Sequence, residues 1–265
     1  MNKVSSYPWE YYVRPFKIIE NLYYIGNKDV SVHLLAGSDG VVLIDSGYPQ
    51  TVYQVLENIR ILGFDPYTIR AIIHTHAHYD HCGGTKAIIE TTGAKTYLGK
   101  EDITIIEKEH MQTWAPEYGT VFYEQFGVDF ALDDGGIIEY GDISINCVAS
   151  PGHTAGTMSL FFDVRDNGRT YKAGLHGGPG RNTLTREYLN QYGLPLKNRD
   201  IFLDSIKKLK NIPVDIVLGI HPFWNDTFRK AAEIKEGHNP FIDAGEWGRF
   251  LHNLETNALD FFAKD

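Results

Sequence analysis

Between residues 74 and 81 the chain reads His74-Thr75-His76-Ala77-His78-Tyr79-Asp80-His81, four histidines and one aspartate directly after the apolar run Ala71-Ile72-Ile73. Imidazole and carboxylate are the donors that borderline cations such as zinc accept, and donors on one short turn cost little entropy to assemble. The inner run, His76-x-His78-x-Asp80-His81, holds more donors than one ion needs. Alternation sends them to different sides of the loop, so two ions are expected rather than one. By the same alternation His74 faces away, as a core residue or as a support for a ligand.

Two later stretches supply the missing donors. Ser150-Pro151-Gly152-His153 follows a strand-like segment, Ile143 to Val148, and its Pro and Gly force a turn that presents His153 at the strand's end. Asp215 to Ile220 reads as a buried strand, and Pro222 keeps His221 out of helical conformation at its carboxyl edge. His76, His78, Asp80, His81, His153 and His221 therefore lie at the ends of three strand-like segments.

These six residues resemble the ligand motif of the metallo-β-lactamase superfamily. The resemblance implies that His76, His78 and His153 hold one zinc, that Asp80, His81 and His221 hold a second, and that Asp80 also orients the nucleophile. The likeness runs from Asn21-Leu22-Tyr23-Tyr24-Ile25-Gly26, through Val41 to Ile44 ending in Asp45-Ser46-Gly47, to Asn239-Pro240-Phe241-Ile242-Asp243. The late His221-Pro222 and Asn239-Pro240-Phe241 look most like the third subclass, the di-zinc enzymes without a cysteine ligand. What it implies for architecture is an α/β fold, a four-layer αβ/βα sandwich spanning residues 1–265 as a single domain with the metals at the edge between two sheets.

Many relatives in that superfamily carry an aspartate that bridges both metals after the third histidine. Here the corresponding stretch, Thr170 to Gly178, has no carboxylate, so Leu175 or its neighbour takes the bridging place unless a displaced carboxylate such as Glu187 reaches it. Water or hydroxide alone would then bridge the zincs, as in the lactamase branch. Di-iron relatives would want a glutamate where His78 stands. Two zincs about 3.5 to 4 Å apart bring a water's pKa to about 7 and stabilise the anion formed as a bond breaks. The expected activity is opening of a β-lactam or similar cyclic amide, the alternative a lactone, thioester or phosphodiester hydrolase. A non-catalytic metal-binding protein is a third reading, and it would require a closed coordination shell.

The elements that must position these groups alternate between helix and strand signals. Val52, Val55, Leu56, Ile59 and Leu62 recur at helical spacing up to Gly63; Lys86 to Thr92 reads as a second helix; Trp247, Phe250, Leu251, Leu254, Phe261 and Phe262 stripe the last. Asp166-Asn167-Gly168 reads as a tight hairpin turn. Met111 to Phe130, with Trp114 and Tyr118, is either a lid gripping the substrate or a loop packed on its own aromatics. Gly177 to Asn182 either offers amides and Arg181 to a substrate carboxylate or is plain surface. Asp45 either caps a turn or orients a ligand imidazole. His176 is expected on an exposed loop, or else in contact with substrate or metal.

Length and composition bound the remainder. At 265 residues a compact chain buries roughly 70 to 75% of its unfolded surface and needs no staple. A net charge of -9 argues against a nucleic-acid partner and leaves a small-molecule substrate. Cys82 and Cys147 form no disulfide framework and read as small buried residues. Residues 1–10 contain no apolar run fit for a signal peptide or membrane span, so a cytoplasmic location is expected as given, and a periplasmic or secreted one if a leader has been removed.

Overall fold

The computed structural model describes residues 3–166 and 168–265. Seven strands form the first sheet in chain order: β1 (Phe16–Ile19), β2 (Leu22–Tyr24), β3 (His33–Gly37), β4 (Gly40–Ile44), β5 (Ile69–Ile73), β6 (Lys95–Gly99) and β7 (Phe130–Leu132). Its first half is antiparallel, and β4 to β7 are parallel. The second sheet runs β12-β11-β10-β9-β8, from β8 (Ile137–Tyr140), β9 (Ile143–Ala149), β10 (Met158–Asp166), β11 (Arg169–Leu175) and β12 (Ile216–Leu218). Only the β11 and β12 pair is parallel there.

Helices follow as α1 (Lys3–Ser6), α2 (Val52–Ile61), α3 (Tyr79–Cys82), α4 (Thr85–Thr92), α5 (Ile103–Glu107), α6 (Arg186–Gln191), α7 (Asn198–Leu209), α8 (Thr227–Glu233) and α9 (Glu246–Lys264). The period-two alternation of strand side chains sorts them into layers. Val42, Ile44 and Ile73 point inward and meet Leu160, Phe162, Leu175 and Leu218 of the second sheet. Leu43 and Ile72 point outward, against Val55 and Ile59 of α2 and Ile88 of α4. Phe161 and Val217 point outward on the other side, against Phe202 and Ile206 of α7 and Trp247 and Leu251 of α9. Each such side chain contributes roughly 1.5 to 3 kcal/mol through burial. Helix, sheet, sheet and helix thus stack as the four-layer αβ/βα sandwich expected.

The helices at Val52 and Lys86 and the carboxyl-terminal one form close to the expected bounds, because their apolar stripes have a sheet to face. Asn167 of the expected hairpin turn lies outside the described residues; the flanking strands pair antiparallel, with Asp166 opposite Arg169. No helix among the described residues is long and apolar enough to cross a membrane.

The two sheets meet along one edge, where β4, β5, β9 and β12 all end. Met158 N donates to Thr75 O at 2.8 Å, and Ser31 N to Ile220 O at 2.9 Å, tying the first sheet's loops to the second sheet's across that edge.

Candidate metal centre

β5 stops at Ile73 and the chain turns sharply through His74 to His78 before α3 begins at Tyr79. Asp45, just past β4, fixes this turn. Its backbone is left-handed, with φ 62 degrees, and that conformation turns its carboxylate into the loop. Asp45 Oδ1 accepts from Thr75 N at 2.8 Å, and Oδ2 accepts from the Thr75 hydroxyl at 2.9 Å and from His81 Nδ1 at 2.8 Å. The Thr75 hydroxyl, its proton given to Asp45, accepts from His76 Nδ1 at 3.0 Å. Both His76 and His81 therefore carry their proton on Nδ1 and keep a bare lone pair on Nε2.

His153 and His221 are polarised alike. His153 Nδ1 donates to Gly180 O at 2.9 Å, and His221 Nδ1 donates to Asp29 O at 2.7 Å. His153 Nε2 then faces His78 Nδ1 at 3.1 Å, while His81 Nε2 and His221 Nε2 face Asp80 Oδ2 at 3.4 and 3.5 Å. The donor atoms of His76, His78 and His153 lie within 4.8 Å of one another, as do those of Asp80, His81 and His221. His76 Nε2 and His78 Nε2 are buried without any hydrogen-bond partner. A buried polar nitrogen left unpaired costs about 1 to 3 kcal/mol, so the orphaned Nε2 of His76, converging with the ring nitrogens of His78 and His153, fits a cation.

Electrostatics agree. Burial first, and then the neighbouring imidazoles, hold His76 and His78 well below the usual histidine range, and burial pulls His153 down to about 4. All three are neutral at pH 7, the form that binds a metal. Burial would lower His81 too, but Asp80 and then Asp45 outweigh it and raise its pKa. That excess of negative charge is what a second cation would neutralise.

Asp102, which the sequence analysis did not single out, ties the two ligand loops together. It is wholly buried; Oδ2 accepts from Ala77 N at 2.9 Å and from the Thr154 hydroxyl at 2.7 Å, and Oδ1 accepts from Gly156 N at 2.6 Å. Ala77 separates His76 from His78, and Thr154 follows His153. A side chain at Gly156 would place Cβ 2.5 Å from Asp102 N, so the approach depends on glycine there.

Two more residues missed by sequence reasoning stand at the centre. Asp29 accepts from His221 through its carbonyl and from the Tyr48 hydroxyl through Oδ2 at 2.6 Å, and it lines the cleft. Asn182 lines it too. Asn27-Lys28-Asp29 has only the look of a polar turn, and no signal in it announces a ligand's support.

Of the residues named for the substrate, Trp114 and Tyr118 border the cleft of about 330 Å³ that opens over His78, Asp80, His81, His153 and His221. The Trp114 ring lies 5.9 Å from that of His78, and the Tyr118 hydroxyl donates to Asp80 Oδ2 at 3.4 Å. Burial, then Asp80, raises the Tyr118 pKa, so it stays a donor. Phe122 and Phe126 of the same segment are buried with Tyr79 and Ala115. The segment is both wall and self-packed loop, its first half facing the cleft and its second the core. Arg181 does not line the cleft; its guanidinium lies over the Phe261 ring at 5.3 Å, while its neighbours Gly180 and Asn182 face the donors. Glu187 is exposed on α6 and is no bridging carboxylate. Leu175 is buried in the core between the sheets.

His176 corrects the sequence reading. It is 2% exposed, packed near Phe202 and Phe250, with Nδ1 accepting from Gly178 N at 3.1 Å. An exposed loop is expected there from the sequence, but α7 and α9 cover that end of β11. His74 is as expected turned away, bonded to Tyr97 O and to the Thr85 hydroxyl. Cys82 is buried and its thiol's pKa is raised by burial, so it is inert.

A sequence model described as the metallo-beta-lactamase superfamily matches residues 25–168, more than half of the chain. The chain belongs to that superfamily. Within it, the solved subclass B3 metallo-beta-lactamase of Bradyrhizobium japonicum superposes with a TM-score of 0.86 at 28% identity, covering 98% of each chain. The native metallo-beta-lactamase of Legionella gormanii superposes at 0.87 with 28% identity, covering 96% of this chain and 97% of that one. Among curated relatives, "Probable metallo-hydrolase YflN" of Bacillus subtilis (strain 168) is 29% identical over 170 residues, 59% of this chain and 60% of YflN. The metallo-beta-lactamase fold here therefore carries two candidate metal-binding groups, and the protein is a metallo-hydrolase of the superfamily.

Proposed function

We propose that the protein is a di-zinc hydrolase that opens β-lactams or similar cyclic amides. His76, His78 and His153 would hold one zinc, and Asp80, His81 and His221 the other; an all-nitrogen set beside a set with one carboxylate favours zinc over harder cations. The observation that carries the reading is the place of Leu175. Where many relatives carry a bridging carboxylate, this chain has Leu175 or its neighbour, none of residues 170–178 is acidic, and Glu187 lies out on the surface. Full-length likeness to subclass B3 lactamases supports the same choice of bond.

When bound, the two ions supply hydroxide from water at neutral pH and positive charge for the anion that forms as the ring opens. The chain's own groups do the rest. Asp80 orients the nucleophile with one oxygen, held in place by the Tyr118 hydroxyl. Asp45 fixes the tautomer and the aim of His81 directly, and those of His76 through Thr75. Trp114 and Tyr118 exclude water over the donors, and Asn182 offers an amide to the substrate on the opposite wall.

The test is hydrolysis of a chromogenic cephalosporin by zinc-loaded protein, beside a lactone and a phosphodiester, with chelator and His78→Ala as controls. Cephalosporin turnover lost with chelator and in the variant supports the reading. Turnover of the lactone or the diester alone overturns it in favour of a different bond.

A further inference from the structure

The metal cleft contains no cationic side chain: among its described lining residues there is no Lys or Arg, and Asp29 and Asp80 make it acidic when metal-free. Beside it lies a larger cavity, of about 540 Å³, and the two share Phe223 and Trp224 as a common wall. Phe223 is 63% exposed, although its ring stacks on His221 at 5.2 Å and 25 degrees. An aromatic ring left open on the rim, braced from below by a candidate ligand, is a platform rather than core.

Cations and anions in the larger cavity are nearly matched. Arg229 pairs with Asp226 at 3.2 Å, Lys230 with Glu246 at 2.5 Å and Arg249 with Asp243 at 2.5 Å. Those three pairs cancel. Arg181, the fourth cation of the lining, has no ion pair among the described residues, and only the Phe261 ring lies under its guanidinium. The carboxylates of the outer hollow that Arg181 also borders, Asp260 and Asp265, are engaged by Lys264 and by Arg199. In a chain of net charge -9 an unmatched guanidinium on a cavity wall attracts anions selectively, and its planar fork suits a carboxylate.

We infer that the cavity bounded by Phe223 and Arg181 is a subsite for the far end of the substrate, taking an aromatic ring against Phe223 and a carboxylate at Arg181. This rests on the proposed hydrolase reading, with the reacting bond in the cleft and the side chain crossing Phe223. It names the substrate class: amides whose side chain ends in an aryl carboxylate. The sequence leaves Arg181 either at a substrate carboxylate or on plain surface; the structure sets it on the wall of the neighbouring cavity rather than of the cleft.

Two measurements test this separately from the hydrolysis itself. In the first, terephthalic acid monoamide and neutral terephthalamide are titrated into zinc-loaded and metal-free protein, followed by the Trp224 indole resonance. The acid is expected to bind about tenfold or more tightly than the diamide in both forms. That preference should vanish in Arg181→Gln, survive in part in Arg181→Lys, and be accompanied by weaker binding of both probes in Phe223→Ala. Equal binding of the two probes, or a preference that persists in Arg181→Gln, overturns the subsite. In the second, kcat/KM is compared for a cephalosporin with an aryl-carboxylate side chain and for its methyl ester. An acid preference seen in the wild type and lost in Arg181→Gln supports the subsite, and equal values overturn it. Silence on both substrates with the probe preference intact would overturn the lactam reading and leave the subsite standing.

Discussion

Asp45 and His81 are joined by a single short contact, Oδ2 to Nδ1 at 2.8 Å, between residues 1% exposed apiece. The same carboxylate holds Thr75, so one aspartate sets the direction in which two imidazoles offer their lone pairs. An amide at this position would keep the shape and lose the choice of tautomer. Asp45→Asn is expected to lower affinity at the Asp80, His81 and His221 group by about 10 to 100-fold. Competition with a coloured chelator reads this, and a variant with wild-type affinity for both ions would show that Asp45 merely caps its turn.

Asp102 makes a different prediction, because it holds backbone rather than ligands. An asparagine can satisfy either the Ala77 amide and Thr154 hydroxyl or the Gly156 amide, but not both sides. Leaving one buried donor unpaired costs about 1 to 3 kcal/mol. Asp102→Asn should lower the denaturant midpoint accordingly and weaken metal binding at His76, His78 and His153 more than at the other group. Unchanged stability would sink this account.

The metal-free protein should become less stable as the pH falls below about 6.5. Burial pulls His33 down to about 4 and His176 to about 3, and His153 to about 4, so each stays neutral in the folded chain while the unfolded chain takes up a proton near 6.5. The unfolded state then binds more protons, and stability falls with pH. Each group contributes a loss on the order of 3 kcal/mol by pH 4. Asp102, pushed up to about 6 by burial, works in the opposite sense below that value, whereas His81, with its raised pKa, acts only above about 6.5, where the folded chain takes up its proton first; below 6.5 the three histidines outweigh Asp102. Urea midpoints from pH 7.5 to 4.5 check the slope; a flat profile would contradict it.

Trp114 sits in a left-handed backbone, φ 66 degrees, with its ring between those of His78 and Tyr188. A tryptophan held so closes the cleft on one side without touching the Asp80 carboxylate. Trp114→Ala should raise KM by about tenfold, the size of roughly 1.4 kcal/mol of lost contact, with a smaller change in kcat. A collapse of kcat with KM unchanged would assign the ring to the chemistry instead.

The donor set was legible in the sequence because histidines are scarce and these cluster where apolar strands stop. The sandwich was legible for the same reason, since Val41 to Ile44 and Ala71 to Ile73 are apolar without interruption, as strands buried on both faces must be. Asp102 was not. Lys100-Glu101-Asp102 is an ordinary acidic entry to a helix, and its task appears only when Gly156, 54 residues away, comes against it. That Gly180 and Asn182 line the cleft and Arg181 does not was out of reach too, because local sequence does not say which of three successive residues a loop turns toward its neighbour. The burial of His176 was not legible either, since it depends on α7 and α9 and on the close packing of Gly177 against Met158 and Gly178 against His153.

Each donor group draws on both sheets. His76 and His78 follow β5, and His153 follows β9; Asp80 and His81 belong to the first half, and His221 to the second. A bound ion is therefore a crosslink between two halves of the chain that are otherwise consecutive and could collapse one after the other. Between His78 and His153 it closes a loop of 75 residues, a span whose closure entropy the polypeptide must otherwise supply from packing alone. Metal uptake would then favour the docking of the second half onto the first, and a chelator added during refolding is expected to slow that docking while the shared core still brings the sheets together.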